Sequence, residues 1–436
     1  MEQQNGIAAY ILKGNRMKSA TFCVMPWNSI ATNASGNYRV CCNSTPGKNF
    51  IKTKDQKDAK IFRETPSEIL NSETYKTIRR QMLDGVQPDM CERCFKEEAT
   101  GIKSARQNWN DKWYDKDKEY NVESSLDIEY IDLRLGNLCN LKCRMCNPYA
   151  SNQWIDEWNT VVTTAKLVPD FPLSIEETNR LTNMNWPEDP RTWKSIIEIA
   201  YSIEEIYLTG GEPTLAIEQY KLFDILIEKG LSKKIKLKYN TNLTNIPKKM
   251  IEYWSHFKKV QLNASIDAHG ALNRYIRYPT GWTSVEKNID KFLSMPNVQV
   301  QIHCTVQMYN ILNLKELFDW IKAKTNLTPY LNILNHPVCL NIQTLPAELK
   351  KLAEDRLVDY LDWPKVKETI VYMNSADTSD HIDEFNKYTK VLDELRNESI
   401  TTHIPELGEN IWNGQTLSLK EELPIDGQNK FQIDLE

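Results

Sequence analysis

Three cysteines fall within eight residues, at Cys139, Cys143 and Cys146, and they directly follow a run that reads as a β-strand. Residues 128–135 (IEYIDLRL) alternate and are β-prone, and Gly136 and Asn137 break the run. The thiols therefore sit on the loop beyond a strand's C-terminal end. A short loop can fold three thiolates around one metal cluster and leave one iron without a protein ligand, because four cysteines normally complete such a cluster. No histidine lies nearer in sequence than His256 to fill the fourth place. An open metal position is what a reactive site needs. A zinc knuckle with a distant fourth ligand is the alternative use of the same thiols.

The chain around this loop alternates strands and helices. Strands are expected at 128–135, 206–209, 234–242, 260–268, 298–306 and 327–334, with helices over 215–229, 246–257, 283–294 and 313–324. Such alternation implies an α/β fold with a parallel sheet, and six βα units fall short of the eight in a closed barrel. The strands' C-terminal ends then carry the functional face. Gly210, Gly211 and Glu212 stand at one such end, Asn240 and Asn242 at another, Ser265 and Asp267 at a third. Glycines let backbone approach a ligand closely, whereas Asn, Ser and Asp also serve as ordinary turn caps.

Five more cysteines, Cys23, Cys41, Cys42, Cys91 and Cys94, precede residue 95. In an intracellular chain, clustered thiols mean metal more often than disulfides. Four of them suffice for a fully ligated iron–sulfur cluster, or equally for a zinc ion. Adjacent side chains of a strand point opposite ways, so only one of Cys41 and Cys42 faces such a site.

The Cys-x3-Cys-x2-Cys spacing, with Gly210-Gly211-Glu212 following one βα unit later, resembles the radical S-adenosylmethionine (SAM) superfamily. The resemblance implies a partial (βα)6 barrel and a catalytic [4Fe–4S] cluster on Cys139, Cys143 and Cys146. It further implies that SAM chelates the open iron, and that one electron cleaves it to a 5′-deoxyadenosyl radical that takes hydrogen from a substrate. Met145 would pack on the adenine, where the family often has an aromatic residue; a thioether can serve. Gly210, Gly211 and Glu212 would receive the amino group of SAM. Asn240, Asn242, Ser265 and Asp267 would bind its ribose or carboxylate. Arg277 would contact SAM or a substrate carboxylate.

The first cysteine group reads Cys23, twelve residues, Gly36, four residues, Cys41, then Cys91 and Cys94 two residues apart. This resembles the SPASM/twitch auxiliary-cluster module and implies a second [4Fe–4S] cluster on Cys23, Cys41, Cys91 and Cys94, with Cys42 an alternative to Cys41. The Gly-x4-Cys spacing favours Cys41. In many relatives the module follows the barrel; here it precedes it, which makes its role less transferable. Cys304 lies on a barrel strand and is either a hydrogen donor to a substrate radical or a small buried hydrophobe.

The expected organisation is a leader (1–20), an auxiliary-cluster module (21–108), a polar linker (109–126), the partial barrel (127–335) and a helical C-terminal region with a tail (336–436). Residues 150–195 form an insertion whose Trp154, Trp158, Trp186 and Trp193 either line a groove or, more simply, pack helix faces. The chain is 41% apolar and 26% charged with a formal net charge of -5, so no global field favours nucleic acid or anionic lipid. No apolar run approaches the ~18 residues of a membrane span, and a cytoplasmic location is expected. SPASM and twitch members often modify ribosomally made peptides. A peptide or protein substrate is thus the first expectation, a small molecule or nucleotide the second, and RNA the third. The electron donor would be a flavodoxin or ferredoxin. The non-enzymatic alternative is a zinc-stabilised binding protein.

Overall fold

The computed structural model describes residues 19–44, 50–99, 103–124, 127–165 and 184–412. Most of the expected leader, the middle of the insertion and the tail beyond 412 lie outside the described residues. Six strands carry the barrel: β3 (Tyr130–Arg134), β4 (Glu205–Thr209), β5 (Lys236–Thr241), β6 (Lys259–Ser265), β7 (Val298–Val306) and β8 (Tyr330–Ile333). They pair in parallel, in chain order, and the sheet does not close. The intervening helices include Tyr220–Glu228, Lys248–Trp254, Trp282–Leu293 and Leu314–Lys324. The segment after Glu212 begins more raggedly than expected, with two short 3-10 turns at Pro213–Leu215 and Ile217–Gln219 before the helix.

The auxiliary module is built into this sheet. Its strand β1 (Ser29–Thr32) runs parallel to β3, and β2 (Tyr38–Arg39) pairs antiparallel with β1, giving the order β2-β1-β3-β4-β5-β6-β7-β8. The linker expectation also meets a helix: Ala105–Trp113 runs across residue 108, started by a capping box between Ser104 and Gln107.

Each central strand has one apolar and one polar face. On β6, Val260, Leu262 and Ala264 are fully buried beneath helices while Gln261, Asn263 and Ser265 alternate with them. On β7, Val300, Ile302, Cys304 and Val306 alternate with Gln301, His303 and Thr305. The apolar face holds the core: Trp254 packs on Tyr239 of β5 and on Phe292 of the next helix, at 5.4 and 5.7 Å between ring centroids. Parallel sheets usually bury both faces; here the second face is polar and borders a cavity.

Helices of the C-terminal region brace the cysteine loop. Arg144, between Cys143 and Met145, is fully buried, with its guanidinium 3.5 Å from the Tyr275 ring centre. It donates to Asp393 Oδ1 at 2.6 Å, on the helix Ile382–Arg396, to Glu398 Oε2 at 3.3 Å, and through Nε to the Tyr275 carbonyl at 2.8 Å. Nearby, Glu157 accepts from both Lys142 and Arg396, and the Arg396 guanidinium lies over Trp154 at 4.9 Å. The insertion tryptophans Trp154, Trp158 and Trp193 are buried and pack on helix faces, while Trp186, also buried, lines a cavity of about 840 Å³ with Phe62 and Arg191. Removing one member of a buried ion pair strands the other charge. Asp393→Ala is therefore expected to cost about 3–5 kcal/mol, read as a lowered denaturant midpoint in equilibrium unfolding.

Candidate functional site

The cysteine loop is held against the end of β4 by close backbone contact. Glu212 N donates to the Leu138 carbonyl at 2.7 Å. A Cβ on Gly211 would lie 2.3 Å from that same oxygen, and one on Gly210, at φ +146°, would meet Leu135 N at 3.0 Å. The two glycines thus let the β4 turn press on the thiol-bearing loop itself. The loop's other side is fixed by Lys142 N to the Tyr278 carbonyl (2.7 Å), Arg144 N to the Ile276 carbonyl (2.8 Å) and Trp154 Nε1 to the Cys143 carbonyl (3.0 Å).

This arrangement closes one wall of a pocket of about 420 Å³ at the C-terminal ends of the strands. Cys139, Met145, Cys143 and Cys146 line it, together with Gly210, Gly211, Glu212, Asn240, Asn242, Ser265 and Arg277. With Cys42, twelve of the residues singled out in the sequence are thereby brought together. Asp267 and Cys304 do not line it.

Glu212 is buried and satisfied within the protein. Its Oε1 accepts from Thr214 Oγ1 at 2.6 Å and Thr241 Oγ1 at 2.8 Å, and its Oε2 from Asn242 N at 2.7 Å. It therefore ties the Gly-Gly turn to the end of β5. Asn242 in turn donates to Asn140 Oδ1 in the cysteine loop at 2.9 Å, and Asn240 accepts from Asn263 at 2.8 Å. Asp267, fully buried, takes Thr305 N at 2.7 Å and sits 2.7 Å from Arg277 Nε. Its place is behind Arg277, orienting it, rather than on the pocket surface. Burial raises the Asp267 carboxyl, and the Arg277 cation opposes that rise. Cys143 is held below the ordinary thiol range, first by hydrogen bonding with Cys146, with help from the Arg277 charge.

Cys304 shares the helix-covered face of β7 with Ile302 and Val306, and its thiol lies 3.7 Å from the Asp267 carbonyl. Strand alternation puts Thr305, not Cys304, on the pocket side. A hydrogen-donor role would need the thiol there. Cys42 does line the pocket, beside Asp132. Cys41 instead lies within electrostatic reach of Cys23, Cys91 and Cys94. The two neighbours thus face different sites, although both lie beyond the end of β2 rather than on a strand. Gly36 adopts φ +74°, and a Cβ there would crowd Trp186 at 3.0 Å.

Among the described residues, no three His, Cys, Asp or Glu side chains converge closely enough to share a single metal ion. The fit to iron–sulfur clusters rests on donor chemistry. All ten cysteines are unpaired by disulfides. Burial pushes Cys139 and Cys91 up to about 12, and thiolates at such places need a metal's positive charge.

Several pocket residues were not singled out from sequence: Thr32 and Arg39 from the auxiliary module, Asp132 and Arg134 on β3, and Tyr207 on β4. The available signal was the placing of charges at alternate positions in the otherwise apolar run IDLR. Burial raises Asp132 to about 6 and lowers His303 to about 4.

The family model described as the radical SAM superfamily matches residues 133–319, and the iron–sulfur cluster-binding domain named SPASM matches residues 23–95. The chain thus contains a radical SAM domain, preceded by a SPASM domain. The radical SAM match implies a [4Fe–4S] cluster and SAM, and the SPASM match implies an auxiliary cluster. Among solved structures, Streptococcus suis SuiB is similar at 16% identity over 53% of this chain and 46% of SuiB, with a TM-score of 0.32. The enzyme anSMEcpe with bound AdoMet is similar at 17% identity over 56% of this chain and 61% of that one, TM-score 0.35. SuiB bound to its precursor peptide SuiA aligns over 78% of both chains at 14% identity, TM-score 0.32. The chain thus spans only about half the length of the first structure it matches. A search by sequence among curated proteins finds no match.

Two expected outcomes follow from the site. Gly211→Ala should displace the cysteine loop and lower cluster occupancy, measured as iron and sulfide per chain after anaerobic reconstitution. Cys91→Ala should reduce iron from roughly eight to roughly four atoms per chain, the complement of one [4Fe–4S] cluster; unchanged iron would remove the second cluster.

Proposed function

We propose that this chain is a radical SAM enzyme that reductively cleaves SAM and abstracts hydrogen from a peptide or protein substrate. The observation that carries the reading is the meeting, on one pocket, of the three loop thiols with Gly210, Gly211 and Glu212. In this reading Cys139, Cys143 and Cys146 hold the catalytic cluster and leave one iron open. When bound there, the cluster supplies the single electron that fragments SAM to a 5′-deoxyadenosyl radical.

The chain's own residues do the positioning. The Gly210–Gly211 backbone receives the amino group of SAM, with Glu212 fixing the turn that presents it. Asn240, Asn242 and Ser265 hold ribose and carboxylate, and Arg277, held by Asp267, adds a cation beside Cys143. Met145 packs on the adenine. Cys23, Cys41, Cys91 and Cys94 hold the auxiliary cluster, with electrons delivered by a flavodoxin or ferredoxin. The peptide assignment draws on the SPASM module, whose family members often act on ribosomal peptides.

The test is anaerobic reconstitution with iron and sulfide, reduction with dithionite, and quantification of 5′-deoxyadenosine from SAM. The wild-type chain should form it, and Cys143→Ala should not, at least a hundredfold below wild type, roughly 2.7 kcal/mol in barrier terms. Stoichiometric zinc with no brown chromophore and no 5′-deoxyadenosine would leave a zinc-stabilised binding protein instead.

A further inference from the structure

Between the two cysteine groups, the pocket wall carries charges that the roles above leave unused. Arg39 ends β2 and Arg134 ends β3; both are half-buried and line the pocket. The Arg134 backbone N–H donates to Thr32 Oγ1 at 3.2 Å; its guanidinium makes no hydrogen bond or ion pair among the described residues, though Cys146 and Asp132 lie within electrostatic reach. Arg39 is held from one side only. Its Nε donates to Ser44 Oγ at 3.2 Å and its Nη2 to the Ser44 carbonyl, which leaves Nη1 without an acceptor among the described residues. A third cation, Lys238 of β5, lies outside the pocket lining, with its Nζ 4.9 Å from the Tyr207 ring centre and no carboxylate within ion-pair distance among the described residues. Against the two lining arginines stands Asp132, 3% exposed, with Oδ2 unbonded among the described residues.

The other charged groups of the pocket are already matched. Arg277 is paired with Asp267, and Glu212 is saturated by its own donors. The wall therefore holds cations in excess where solvation is reduced, an arrangement that costs free energy unless an anion completes it. The planar guanidinium fork matches the paired oxygens of a carboxylate or phosphate.

We propose that Arg39 and Arg134 together receive an anionic group of the substrate, a carboxylate or a phosphate. The inference rests on the enzyme reading of this same pocket and names the chemistry of what enters it. Arg39 lies within the SPASM match and Arg134 within the radical SAM match. A substrate anion held by both would span the join between the modules and face the loop that carries Cys146. The SAM carboxylate is served separately, by Asn240, Asn242, Ser265 and Arg277.

The test uses the reconstituted, SAM-loaded full chain at low ionic strength, where charge contacts are least screened. Glutarate and inorganic phosphate are titrated by calorimetry, and SAM affinity is measured in the same chains. At least one anion should bind the wild-type protein. Arg134→Gln and Arg39→Gln should each weaken it roughly tenfold or more, the loss of one charge-assisted contact. Arg134→Lys, which keeps the charge and loses the fork, should recover only part. Preference for glutarate marks a carboxylate-bearing substrate, and preference for phosphate a phosphorylated one. The proposal is overturned if neither anion binds, if both glutamine variants bind like wild type, or if SAM affinity falls in step with anion affinity. If one variant does not fold, the other carries the same readout. Failure of the enzyme reading would appear separately, as absent 5′-deoxyadenosine from the wild-type chain.

Discussion

A parallel sheet ordinarily needs apolar cover on both faces, and this one has it on one. Val260, Leu262, Ile302 and Val306 turn to the helices, while Gln261, Asn263, Gln301 and His303 turn the other way. Every amide and charge on that second face needs a partner or water. Some find each other, as Asn263 finds Asn240 at 2.8 Å and Gln261 finds Asn263 at 2.7 Å. Others, such as the Arg134 guanidinium, face the pocket with no hydrogen-bond partner among the described residues. The polar face is what keeps a cavity open above strands that would otherwise be sealed by side chains.

The cysteine loop at the mouth of this cavity gets little rigidity from its own sequence. It is clamped from three directions: by the Gly210–Glu212 turn pressing on Leu138, by backbone bonds to Ile276 and Tyr278, and by Arg144 reaching the C-terminal helices. The Arg144–Asp393 contact joins residues 249 positions apart. The C-terminal region thereby acquires a task, since the loop's middle would lose its buried anchor without Asp393 and Glu398.

Much of the site was legible because its chemistry is carried by residue types that are rare and specifically spaced. Three thiols after a strand, then two glycines and a glutamate after the next, define a loop and its support without any knowledge of packing. The six barrel strands were legible for a related reason: alternation survives wherever one face is polar. The short strand β1 escaped because all four of its residues are buried, leaving no alternation to see. Arg144 and Asp393 escaped because local sequence carries no sign of a contact so distant. Asp267 and Cys304 show the limit of reading by position alone. Both lie at or near strand ends, yet Asp267 sits behind the surface it was expected to line, and the parity of the strand turns the Cys304 thiol into the core.

The pairing of β1 with β3 has a mechanical corollary. Ser29, Ile30 and Ala31 sit in register with Tyr130, Ile131 and Asp132, so the SPASM segment is stitched to the barrel by main-chain bonds. It cannot swing aside as a lid or dock on demand without tearing that ladder. Whatever separation the fold sets between the Cys23/Cys41/Cys91/Cys94 group and the Cys139/Cys143/Cys146 loop is therefore a built-in dimension, inherited by any charge that moves from one to the other.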